Sequence, residues 1–151
     1  FAIASLIIII LVISVFVMLN KPNSLPTANS PTPKMKDEKV EKVNITANFT
    51  IITGNITRSF RAEKYHNQSA DVFIAADDPT IVHVTKSGIT WDNFFKTLTM
   101  KLTKDCLITG DGETLCNFGG RTLKFYLNDI ETPDLLNKEI KDGDRILIKY
   151  I

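Results

Sequence analysis

The chain has 151 residues, of which 44% are hydrophobic and 23% charged, with a formal net charge of +1. A balance this close to neutral, with no basic stripe interleaved with aromatics, speaks against a nucleic-acid partner. The chain holds 2 cysteines and 2 histidines, and two thiols with no histidine cluster make poor zinc ligands.

Phe1 to Leu19 carry no charge, no Gly and no Pro. At 1.5 Å rise per residue such a span makes about 28 Å of helix, enough for a bilayer core of roughly 30 Å. Ile7 to Val17 leave no polar face, which separates the span from an amphipathic surface helix. Residues 1–19 are expected to form a retained transmembrane helix or a pilin-like assembly helix. A cleaved leader is the third reading, but neither a basic n-region nor a small-x-small cleavage site is visible. Pro22, Pro26, Pro31 and Pro33 then mark residues 20–38 as a semi-stiff spacer, because proline removes helix donors and favours extended chain.

Three features bear on which side of the membrane the remainder occupies. Lys21 and the lysines up to Lys42 hint at a cytoplasmic remainder by the positive-inside rule. Against that stand four acceptor triplets for N-linked glycans, beginning at Asn44, Asn48, Asn55 and Asn67. Cys106 and Cys116 flank Gly110, Asp111 and Gly112; a hairpin there would bring the sulfurs into bonding range, although two buried thiols are the other reading. The expectation is a cell-membrane, single-pass protein with its C-terminal part extracytoplasmic, or else an extracellular filament.

Residues 40–151 are enough for one core, in which a disulfide would help. Val43, Ile45, Ala47, Phe49 and Ile51 alternate with polar residues and predict a half-buried strand, with Asn44 and Asn48 on its solvent side. Phe60 to His66 is ambiguous. Ala70–Ala75 and Ile81–Thr85 read as strands joined by a turn at Asp77, Asp78 and Pro79. Thr90 can cap a helix, with Ile89 packing on Phe94 as a staple and Trp91, Phe94, Phe95 and Leu98 on one face. That helix is expected to end near Met100. Leu123–Leu127 alternates again, Asn128 and Asp129 make a turn, and Asp142-Gly143-Asp144 leads into a closing strand. The order predicts an α+β fold, a small β-grasp-like domain with a mixed sheet and one packed helix; a plain α+β sandwich of other connectivity is the alternative.

Several segments carry a resemblance: Ser69–Phe73, Val82-His83-Val84, Gly88–Phe95, Cys106 with Cys116, Leu123–Asn128 and Asp144–Tyr150. Over about residues 65–151 the chain resembles a family of archaeal membrane-anchored extracytoplasmic proteins, most closely the versions of ammonia-oxidising archaea. The element order is also similar to that of ubiquitin-like and sulfur-carrier domains. The resemblance implies more histidines in the two early strands than this chain has, since His83-Val84-Thr85 stands where His-x-His is expected. Sulfur carriers end in Gly-Gly, where this chain reads Lys149-Tyr150-Ile151.

Candidate chemistry is sparse. His66 and His83 with Asp71 could ligate Cu²⁺ or Zn²⁺ if the strands converge, with Asp77 and Asp78 nearby; a cross-strand surface role is the plainer reading of His83. Asp111 with Glu113 and Asp142 with Asp144 sit beside Gly in turns, which suits backbone bonding better than catalysis. Gly119-Gly120 reads as a turn, and Trp91 as core. No catalytic constellation can be nominated and no cofactor is expected. Lys124, Tyr126, Lys149 and Tyr150 are the docking candidates, because aromatic and long amphipathic side chains suit partner contacts. The leading expectation is a non-enzymatic accessory or structural subunit of a larger archaeal membrane complex, capping it on the extracytoplasmic side. Its partners would be other membrane proteins, reached through the N-terminal helix and spacer, and membrane lipid. The alternatives are a type IV pilin-like filament subunit, contacting copies of itself, and a small metal-binding or electron-transfer module.

Overall fold

In the computed structural model, residues 41–151 are described. The expected helix at 1–19 and the spacer at 20–38 lie outside the described residues, and among the described residues no helix is long and apolar enough to cross a membrane.

The alternating segment folds as strand β1, Lys42–Thr53. Its Ala47, Phe49 and Ile51 are buried while Asn44 and Asn48 are exposed, as the two-residue side-chain period dictates. Gly54 (φ +61°) turns the chain into the two-residue β2, Ile56–Thr57. The ambiguous segment after it contains a single 3-10 turn, Glu63–Tyr65. The next strands are β3, Val72–Ile74, and β4, Ile81–Lys86. Val72 and Ile74 of β3 and Val82 and Val84 of β4 turn inward, while Phe73 and His83 between them stay half-buried.

Helix α1 spans Trp91–Thr97. Thr90 Oγ1 accepts from Asn93 N at 3.2 Å, and Asn93 Oδ1 accepts from Thr90 N at 2.9 Å. The two residues thus form a reciprocal capping box, with Asn at the position where Glu or Gln is usual. The helix stops three residues short of the expected end. Leu98 is extended (ψ 153°), its N–H donates to Phe95 O, and its side chain is buried.

The cysteine segment forms its own small sheet, in the order β5-β6-β7: Lys101–Leu102, Cys106–Ile108 and Thr114–Cys116. The remaining strands are β8, Leu123–Leu127, β9, Ile130–Glu131, and β10, Arg145–Tyr150. A 3-10 turn, Leu135–Asn137, lies between β9 and β10.

The main sheet runs β3-β4-β1-β10-β8-β9, with β2 beside β1. β1 and β10 are parallel and every other pair is antiparallel. A parallel central pair made from the first and last strands, with a helix across one face, is a β-grasp-like arrangement. α1 supplies Trp91, Phe94 and Phe95 to a core that also takes Leu107 and Leu102 from the small sheet. Phe49 lies at its centre, with ring centroids 4.7 Å from Phe60, 5.1 Å from Phe94 and 6.1 Å from Phe95. Tilted and edge-to-face pairs of this kind add about 0.5–1.5 kcal/mol each beyond their area.

Candidate functional site

One face of the main sheet carries α1. The other has no layer of described residues over it, and strand register sets what it presents. Thr50 lies opposite Leu147, and Leu147 opposite Tyr126. Two residues along, Ile52 lies opposite Lys149, and Lys149 opposite Lys124. All six are half-buried. The Lys149 ammonium sits 5.8 Å from the centroid of the Tyr126 ring, holding the ring between charge and sheet. Lys124 pairs with Glu131 at 3.5 Å and Arg145 with Asp129 at 3.0 Å. The result is an apolar strip of Ile52, Leu147 and Tyr126 edged by lysines.

Lys124, Tyr126 and Lys149 therefore share one face, as the alternation in β8 and β10 predicts. Tyr150 does not join them. It follows Lys149, so the strand period turns it to the core side, where it is 8% exposed and its hydroxyl donates to the Cys116 carbonyl at 3.0 Å. Its role is to tie β10 to the cysteine hairpin. Leu147 and Ile52 complete the strip and escape a sequence reading, because both sit in apolar runs where either face could be the buried one.

The histidine set is not assembled. The His66 ring nitrogen Nε2 lies 2.9 Å from the Phe60 carbonyl oxygen. His83 stacks on Phe73 across β3 and β4, with centroids 5.3 Å apart, and Asp71 pairs with Lys86 at 3.4 Å. Among the described residues, no three of His, Cys, Asp and Glu stand close enough together to hold a metal ion.

Cys106 and Cys116 are bonded, as directly opposed residues of β6 and β7. The far end of that hairpin is fastened by charge. Arg58 pairs with Glu113, and Lys64 donates to Asp111 at 2.7 Å and to the Gly110 carbonyl at 3.2 Å. The hydrogen bond from Lys64 holds the Asp111 carboxyl below the usual carboxylate range and raises the ammonium above its own. Likewise, the hydrogen bond from Lys138 lowers Asp134. Beneath the fastened tip lies a cleft of about 310 Å³ reaching Phe60, Tyr65 and Leu107. A second groove, about 650 Å³, runs between the end of α1 and β5, floored by Leu98, Met100 and Leu102 and bordered by Lys96 and Lys101.

The four glycan acceptors are all exposed. Asn44 and Asn48 stand on the outer face of β1, Asn55 in the β1–β2 turn, and Asn67 in a loop with φ +52°. Comparison of the chain with protein families, with curated proteins and with solved structures finds no match.

Proposed function

We propose that this domain is a docking module and that the chain is a non-enzymatic accessory or structural subunit of a larger membrane protein complex. On this reading residues 1–19 span the membrane, the spacer lies along a partner, and the domain caps the complex on the extracytoplasmic side. The observation that carries the reading is the lysine-edged strip of Ile52, Leu147 and Tyr126 on a sheet face over which no described residues form a layer. An apolar strip that carries an aromatic and is bordered by polar side chains resembles the core and rim of a protein interface. The paired cysteines support an oxidising compartment. On the same reading the chain stands with the archaeal membrane-anchored extracytoplasmic proteins that Gly88–Phe95 and Asp144–Tyr150 resemble.

Purification of the chain from native membranes in gentle detergent tests this. Discrete particles with a fixed set of other membrane proteins are expected, and Leu147→Asp is expected to release them without altering the circular dichroism of the chain. Long filaments of this chain alone would instead establish the pilin-like alternative. Retention of every partner by Leu147→Asp would remove the outer face from the account.

A further inference from the structure

Four large apolar side chains stand well exposed among the described residues: Ile56 at 63%, Phe118 at 86%, Ile130 at 70% and Ile151 at 51%. Three of them gather at one end of the main sheet. Ile56 is opposite Thr53 at the end of β1. Gly54, which follows Thr53, donates to the Tyr150 carbonyl, and Ile151 exchanges two backbone hydrogen bonds with Thr122. Phe118 and Arg121 immediately precede Thr122, paired across Gly119-Gly120. Ile130 lies at the opposite end, facing Leu127, which faces Ile146 near the start of β10.

The Phe118 turn is braced. Phe118 and Arg121 exchange both backbone hydrogen bonds at 3.1 Å, while Gly119 and Gly120 take φ of +62° and +84°, the left-handed pair that a two-residue hairpin loop needs. Asn117 donates from its backbone and its side chain to Asp105 and accepts from Leu123 N at 2.7 Å. The disulfide at Cys116 fixes the strand just before it. The backbone that carries the ring is thus fixed in advance, so little backbone freedom is lost when the ring enters another phase.

We propose that this tip is a lipid-contact site, in which Phe118, Ile56 and Ile151 enter the interfacial layer of a bilayer while Arg121 stays at the headgroups. The protruding shape of the tip argues for lipid over protein. A protein would need a pocket matched to a protruding ring, whereas the interfacial layer accepts a protruding apolar side chain flanked by a cation without one. The tip lies at the end of β1 farthest from Lys42, about 40 Å along the strand at 3.3 Å per residue. A Pro-rich chain the length of residues 20–38 reaches about 60 Å when extended, longer than that strand. The inference rests on the proposed membrane tether.

Fluorescence of the full chain in vesicles of phosphatidylcholine with a minor share of phosphatidylglycerol tests it, with bromine on the acyl chains. The chain has a single tryptophan, Trp91, which is 0% exposed and gives a steady background. Phe118→Trp is expected to add emission that shifts to the blue and is lost on bromination. Ile130→Trp at the far end is expected to keep its emission. Sedimentation of the Phe118→Trp chain with the vesicles, but no bromine quenching of the added emission, overturns the tip site and leaves the tether standing. A chain that stays in the supernatant overturns both. Added emission from Phe118→Trp that is shielded from acrylamide yet unquenched after brominated lipid is fused into native membranes would assign the tip to a protein partner instead.

Discussion

Replacing both bridged cysteines by serine removes the constraint on a loop whose ends are 10 residues apart. In the chain-entropy account this frees about 9 cal/mol/K in the unfolded state, or about 2.7 kcal/mol at 25 °C. Whether the whole domain loses that amount depends on what the hairpin is joined to. Leu107 on β6 is fully buried and Leu102 on β5 nearly so, both within the single core that holds Phe49 and Trp91. Tyr150 bonds the hairpin to the last strand of the main sheet. The small sheet should therefore melt with the large one, and the loss should appear globally. For a domain of about a hundred residues, with unfolding entropy near 2.1 cal/mol/K per residue, 2.7 kcal/mol lowers the midpoint by about 12 °C. Thermal unfolding followed by Trp91 fluorescence, for the Cys106→Ser, Cys116→Ser pair and for wild type with and without reductant, measures it. An unchanged Trp91 midpoint, with protection from exchange lost only in residues 101–117, would refute the single-core argument and make the hairpin a separate unit.

Thr90→Ala removes the oxygen that caps α1 and the partner of Asn93, and should cost about 1 kcal/mol in urea unfolding; a neutral result would mean that Asn93 caps alone. The Asp111 carboxyl, lowered by Lys64 from its ordinary 3.8, contributes stability above that value and loses it as pH falls through the folded pKa. Carboxyl NMR titration should show the Asp111 midpoint rising in Lys64→Met, and an unmoved midpoint would dismiss the latch. Both groups are exposed, so the effect belongs to the hairpin tip and fades with salt. Gly110→Ala would place a Cβ 2.4 Å from the Tyr65 hydroxyl and 3.1 Å from the Thr99 carbonyl oxygen, costing about 1–3 kcal/mol. Tyr65→Phe in the same chain should restore part of that, because it removes the nearer atom and leaves the farther one.

The parts of this fold that a sequence makes legible are those with a strict local period. β1 shows its inner and outer faces through Ala47, Phe49 and Ile51 against Asn44 and Asn48, and α1 announces itself through Thr90 and the spacing of Trp91, Phe94, Phe95 and Leu98. What stays hidden depends on contacts distant in the chain. Gly110 looks like a turn residue beside Asp111 and Gly112, yet Gly110 is absent from the positive-φ glycines while Gly112 is among them. Gly110 is needed because Tyr65 and Thr99 crowd its α-carbon. Tyr150 and Lys149 look equivalent at the end of a strand until pairing with β8 assigns their faces. Phe118 gives no sequence signal, since a Phe beside two glycines reads as the end of a strand, and its exposure follows from the departure of β7 to another sheet.

The same geometry sets two expectations in competition. Asn48 is on the outer face, opposite Ile81 on β4 and Arg145 on β10, and shares that face with Thr50, Leu147 and Tyr126. A glycan there would stand over the strip proposed for docking. Asn55 adjoins Ile56 in the tip proposed for lipid contact, while Asn44 and Asn67 lie outside both surfaces. Access separates the sites as well. The Asn48 backbone is bonded to Asp144 on one side and paired with β4 on the other, so its triplet can be modified only before β1 is buried between its neighbours. Asn55 precedes a strand of two residues that opens at little cost. Asn48 is therefore expected to be bare in peptide mapping of the native chain, whereas Asn55 is open to modification and is bare only if the tip occupies the bilayer. A glycan on Asn48 would rule out flat docking on the outer face, and one on Asn55 would hold the Phe118 tip away from the bilayer.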